Sequence, residues 1–101
     1  MLSFYLEMDK KTKDFYERLQ EELNNSNVFP AKYLYKFIVP TDAQKIQQIE
    51  KAFDNMGAVI ETKRSSGGKF TSISVDVEMQ SAQKIIDKYI KVSTIEGIIS
   101  L

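Results

Sequence analysis

Residues 69–79 alternate strictly between two kinds of side chain, and this alternation most limits how the chain can fold. One parity consists of Thr71, Ile73, Val75, Val77 and Met79, and the other of Phe70, Ser72, Ser74, Asp76 and Glu78. Successive side chains of a strand point to opposite faces of its sheet. The segment therefore predicts a strand with one face against a core and one face toward solvent, which is typical of an antiparallel sheet covered on one side.

A second strand is predicted over residues 58–64, directly before this one. The connection between them is Ser65-Ser66-Gly67-Gly68. A short connection that contains glycine between two strand patterns favours an antiparallel hairpin.

Three helices are predicted from apolar positions at helical spacing. The first covers residues 11–24. The second begins at Thr41, which forms a capping-box pattern with Gln44, and continues to about Met56. The third is capped by Ser81, and its apolar side chains are Ala82, Ile85, Ile86, Tyr89 and Ile90.

Two further strands are predicted over residues 32–39 and 94–101, so the order after the first helix is β-α-β-β-α-β. This order predicts an α+β, ferredoxin-like sandwich, in which a four-stranded antiparallel sheet carries two helices on one face. We expect residues 28–101 to form this domain and residues 1–27 to form an N-terminal helical extension. The face under the helices should contain Tyr35, Phe37, Ile60, Ile73, Val75 and Ile99. The open face should show Leu34, Lys36, Ile38, Val59, Glu61, Ser72, Ser74, Asp76 and Ile98.

The chain resembles the YbeD-like family of small uncharacterised bacterial proteins. The resemblance rests on Phe29-Pro30, on an aromatic residue followed by Tyr35-Lys36 and an apolar residue, and on the pattern Lys63-x-Ser65-Ser66-x-Gly68-x-Phe70-x-Ser72-apolar-Ser74. It covers residues 28–101 and implies a ferredoxin-like fold similar to the ACT regulatory domain, which binds amino acids. The family as a whole has no assigned activity. ACT domains bind their ligand at a glycine-containing loop after the first strand, whereas this chain has Val39-Pro40-Thr41-Asp42 there.

The composition disfavours several classes of function. The 101 residues contain no Cys and no His, so thiol chemistry and the usual acid–base group near neutral pH are both missing. No nucleophile–base pair is recognisable, and we expect a protein that is not an enzyme and needs no cofactor or metal. Fourteen basic residues balance fourteen acidic ones, which gives no net field for nucleic acid or a membrane.

The hairpin is the most distinctive candidate site. Lys63, Arg64, Ser65, Ser66, Gly68 and Lys69 combine three cations, two hydroxyls and a glycine that could gather around a carboxylate or phosphate. A solvated turn is the alternative interpretation. Base stacking on the sheet, as in RNA-recognition motifs, is disfavoured because Tyr33 and Tyr35 should point into the core.

The second candidate site is the open sheet face, where Leu34, Lys36, Ile38, Val59 and Ile98 would form a contact surface. We expect either the N-terminal helix or a second chain to cover it. The sequence thus predicts a regulatory or protein-interaction domain that binds a partner protein or itself, with an ACT-like sensor of amino acids or other carboxylates as the alternative. The apolar start of the chain is too short for a signal peptide, Met8 is an alternative start, and the expected compartment is the cytoplasm.

Overall fold

The computed structural model describes residues 9–101; the alternative start at Met8 lies outside the described residues. The elements, in chain order, are α1 (Lys10–Ser26), β1 (Ala31–Pro40), α2 (Ala43–Ala52), β2 (Val59–Arg64), β3 (Phe70–Met79), α3 (Ala82–Val92) and β4 (Ile99–Ser100). None of these helices is long and apolar enough to cross a membrane.

The four strands form one antiparallel sheet in the order β2-β3-β1-β4. β1 pairs with β3 along its whole length, from Ala31 opposite Met79 to Pro40 opposite Phe70. The order and the connections confirm the predicted ferredoxin-like arrangement with an added N-terminal helix. The β2–β3 hairpin also lies where the sequence places it.

The core lies between the sheet and the helices, and the alternation of the strands decides which side chains enter it. Tyr35, Phe37, Ile73, Val75 and Val77 are all buried there, and β3 alternates between buried and more exposed positions along its full length. Ile49, Phe53, Ile85 and Ile86 contribute from the helical side. The predicted covered face is therefore confirmed for β1 and β3, while Ile60 of the edge strand β2 is only half-buried.

Helix α2 differs from its prediction at both ends. Its N-cap is Asp42, whose side chain accepts hydrogen bonds from the backbone N–H groups of Gln44 and Lys45. Thr41 is outside the helix because its hydroxyl pairs with that of Thr71 at 2.9 Å. The regular helix ends at Ala52, and the chain then turns so that Phe53 enters the core.

Helix α1 packs against α3 on the helical side of the sheet. Leu23 is buried in the core, and Tyr16 and Leu19 pack against it. This placement shows that α1 folds back on its own domain. The expectation that this helix covers the open sheet face is wrong, whereas cover by a second chain stays a prediction.

The end of the chain departs most from the sequence-based expectation. Residues 94–98 form turns, in which the N–H of Ile98 donates to the carbonyl of Ile95, and the strand contains only Ile99 and Ser100. Ile99 lies opposite Ile38 and is 52 % exposed, whereas Ile98 packs against the core. The assignment of Ile98 to the open face and of Ile99 to the covered face is therefore wrong. The chain turns at Gly97, whose φ is +82°, so the inward and outward alternation expected from residue 94 onward does not continue into β4.

Candidate functional site

The open sheet face carries several apolar side chains that no described helix covers. Val59 and Leu34 lie in one row across the sheet, on either side of Asp76, and they are 62 % and 51 % exposed. Ile38 and Ile99 lie opposite each other on β1 and β4, four residues further along β1 than Leu34. Of the predicted contact residues, Leu34, Lys36, Ile38 and Val59 are on this face, and Ile99 takes the place of Ile98.

Charges on this face are unevenly distributed. Glu61, Asp76 and Glu78 occupy β2 and β3 away from the hairpin, and Lys63 occupies β2 beside the hairpin. Lys32 and Lys36 alternate with Leu34 along β1. Lys32 lies at the far end, opposite Glu78, so the end of the face beside the hairpin, which we call its basic end, carries Lys63 and no carboxylate of the described strands.

The hairpin turn is held by its own hydrogen bonds. The N–H of Gly68 donates to the carbonyl of Ser65 at 2.9 Å, and the N–H of Phe70 donates to the Ser65 hydroxyl at 3.2 Å. The carbonyl of Lys69 accepts from the N–H of Thr41, which ties the hairpin to the end of β1. The N–H of Gly68 is therefore not free to bind an anion, and the Ser65 hydroxyl is also engaged.

The cations of the hairpin, in contrast, have no partners in the described part of the chain. The side chains of Lys63, Arg64 and Lys69 are exposed, and they make no ion pair or hydrogen bond with residues 9–101. The Ser66 hydroxyl is likewise without a hydrogen bond there. These polar groups are available to an external ligand.

The hairpin and the open face meet in a surface hollow of about 490 Å³, which we call the hairpin hollow. It is lined by Ile38, Lys63, Arg64, Ser65, Ser66, Phe70 and Ser72. The structure thus joins four of the six predicted hairpin residues with two residues of the predicted open face, Ile38 and Ser72. Gly68 and Lys69 lie outside the lining.

Phe70 and Ser72 belong to this site but were absent from the predicted contact residues. Phe70 is 47 % exposed, and the Ser72 hydroxyl donates to the carbonyl of Lys63 at 3.3 Å. The sequence did contain a signal for Phe70, because an aromatic residue occupies the solvent-facing parity of β3 among serines and carboxylates. An exposed aromatic residue on an otherwise polar strand face is a contact candidate.

A cluster of tyrosines lies on the opposite, helical side of the sheet. The hydroxyls of Tyr33 and Tyr89 are 2.7 Å apart, and the Tyr35 hydroxyl donates to the carbonyl of Ile85 at 3.0 Å. Burial raises the pKa of Tyr35 and of Tyr89 above the ordinary value. The Tyr35 hydroxyl is bonded inside the core, and the Tyr33–Tyr89 pair is partly buried at its edge. Tyr33 and Tyr35 both lie on the helical side of the sheet, so they cannot stack a base on the open face.

The loop after β1, where ACT domains bind their ligand, is also engaged internally. The N–H of Thr41 donates to Lys69, its hydroxyl pairs with Thr71, and the Asp42 carboxylate caps α2. In residues 9–101, no three acidic side chains come close enough together to hold a metal ion. Among the described residues, the hairpin end of the open face is a surface where unengaged polar groups lie beside apolar ones.

Residues 24–101 match the family described as "Protein of unknown function (DUF493)". The chain belongs to the DUF493 family. DUF493 is the domain of the YbeD-like proteins, so the resemblance of the sequence to that family is confirmed. The match begins inside α1 and includes all four strands, α2 and α3. No curated protein and no solved structure matches the chain significantly.

Proposed function

We propose that this DUF493 protein is a non-catalytic interaction domain that binds a partner protein through the open face of its sheet and so regulates that partner. The observation that carries the proposal is the position of α1, which packs on α3 and leaves Leu34, Val59 and Ile99 exposed. Exposed apolar groups clustered on one face of a small domain are typical of contact surfaces. The unpaired hairpin cations beside them favour a partner surface with acidic groups.

Site-specific photocrosslinking in the producing cell tests this proposal. A benzophenone amino acid replaces Val59 or Leu34 on the open face, and matched controls replace Gln47 of α2 or Lys84 of α3, which are exposed on the helical side. We expect adducts with a second polypeptide from the open-face positions and not from the controls. An adduct of two copies would identify self-association as the interaction. Adducts from the helical positions alone, or none from the open face, would refute the proposal.

The second candidate function is the binding of a small carboxylate, in the manner of a sensor domain. It is favoured by the hairpin hollow, whose volume lies in the range of small-molecule sites and whose cations lack partners. An amide chemical-shift titration with citrate, phosphate and free amino acids tests it. Saturable shifts of residues 63–72 at millimolar ligand would support this function, and shifts confined to other elements would exclude it.

A further inference from the structure

We propose that the hairpin hollow binds an extended acidic segment of a partner protein, in which an apolar side chain lies next to carboxylates. This inference rests on the proposed interaction function and names the chemistry of the partner. The hollow offers two complementary parts, an apolar floor and a basic rim, and each part selects one feature of the segment.

The floor consists of Ile38 and Phe70. They lie on adjacent antiparallel strands, where Ile38 faces Ser72 and Pro40 faces Phe70. Ile99 flanks Ile38 on its other side. Phe70 is half-exposed, and its contact with an apolar side chain would remove both from water. A bare phosphate or citrate ion could make no use of this floor.

The rim contains Lys63, which lies on the open face opposite Ser72, and Arg64, which ends β2 opposite Thr71, with Lys69 nearby on the same hairpin. All three are unpaired in residues 9–101, although they lie within seven consecutive positions of the chain. Lys63 presents its charge on the same face as the apolar floor, where a carboxylate of the segment would form a charge-assisted hydrogen bond with it. The guanidinium of Arg64 can also bind a carboxylate through two parallel hydrogen bonds.

The surroundings of the hollow favour a short peptide over nucleic acid. A nucleic acid strand would continue from the hollow across the open face, where Glu61, Asp76 and Glu78 would repel its phosphates. A short acidic segment needs only the basic end. The hollow also borders β2, which is an edge strand, so its outer backbone groups have no neighbouring strand in the described sheet. A peptide can pair with such an edge through its own backbone.

Selection from a displayed library of random 12-residue peptides tests the inference, because it requires no candidate partner. The bait is the full chain, and the comparison baits are Lys63→Gln/Arg64→Gln and, as a matched control on the same face, Lys32→Gln/Lys36→Gln. We expect the wild type and the control to enrich peptides with Asp or Glu beside Leu, Ile, Phe or Val. We expect the hollow variant to bind these peptides about tenfold more weakly, since two exposed charge contacts are lost.

Synthetic peptides from the selection then separate the floor from the rim. Replacement of the peptide's apolar residue by Ala should weaken its binding to the wild type. Phe70→Ser should weaken binding of the original peptide by the same factor, and the Ala peptide should bind Phe70→Ser and the wild type equally. The inference is overturned if the selected peptides lack acidic residues, if they bind the hollow variant as tightly as the control, or if citrate competes equally well with both peptide versions. If the peptides fail these tests while the open-face positions still crosslink to a second polypeptide, the proposed function stands and its contact lies elsewhere on the open face.

Discussion

Replacement of Gly97 by Ala should destabilise the protein more than the same change at a comparable glycine. Gly97 has φ = +82°, a conformation that costs an L-residue roughly 1–2 kcal/mol. A Cβ there would also lie 2.9 Å from Pro40 Cγ and 3.0 Å from Pro40 Cδ. Ordinary carbon contacts are about 3.5–4.0 Å, and such overpacking costs roughly 1–3 kcal/mol. We therefore expect Gly97→Ala to lower the free energy of unfolding by about 2–5 kcal/mol.

Gly57→Ala is the matched control. Gly57 has φ = +69°, but a Cβ there would meet nothing within 4 Å, so only the conformational cost of about 1–2 kcal/mol applies. Urea unfolding followed by far-UV circular dichroism measures both variants, with the denaturant slope as a check on two-state behaviour.

The result that would refute this reasoning is an equal loss in the two variants, within about 0.5 kcal/mol. A double-mutant cycle with Pro40→Ala gives an independent readout. If the proline ring is the obstacle, Gly97→Ala should cost less in the Pro40→Ala background than in the wild type. A cycle without coupling would show that the close approach of Gly97 to Pro40 is not what limits this position.

Two further predictions concern α1 and the tyrosine cluster. Leu23→Ala should lower the free energy of unfolding by about 2–4 kcal/mol, because Leu23 anchors α1 in the core. Val28→Ala is the control and should change this free energy little, because the Val28 side chain is 90 % exposed. Equal effects of the two variants in urea unfolding would contradict the packing of α1. The pKa values of Tyr35 and Tyr89 are raised by burial, so the unfolded chain loses these protons from about pH 10 while the folded chain keeps them, and the free energy of unfolding should fall as the pH rises above 10. Tyr35→Phe should make this alkaline decline shallower in urea unfolding between pH 9 and 11. An unchanged slope would show that the Tyr35 hydroxyl does not cause the decline.

Much of the fold follows from patterns within single segments. The alternation of β3 specifies which side chains meet the helices, because a strand with one apolar face has one favourable orientation on a core. The same reasoning places Leu34, Ile38 and Val59 on the open face. Ser81 caps α3 as predicted, since its side chain accepts from the N–H of Lys84.

Other features depended on contacts between distant residues. Asp42 caps α2 in place of Thr41 because the Thr41 hydroxyl is engaged by Thr71 on a neighbouring strand. The apolar face of α1 could have packed on either side of the sheet, and α3 on the helical side provided its partner. Neither outcome can be read from a single segment, because each depends on which surface lies nearby after folding.

The sequence by itself determined the element order, the hairpin and the two faces of the sheet, because these follow from side-chain periodicity along the chain. Only the tertiary structure decided that Ile99, and not Ile98, joins the open face, because the turn at Gly97 against Pro40 resets the alternation before β4. It also decided that Phe70 and Ile38 form a floor beside Lys63 and Arg64. That hollow combines residues from three strands and a turn, and it exists only once their register places those side chains together.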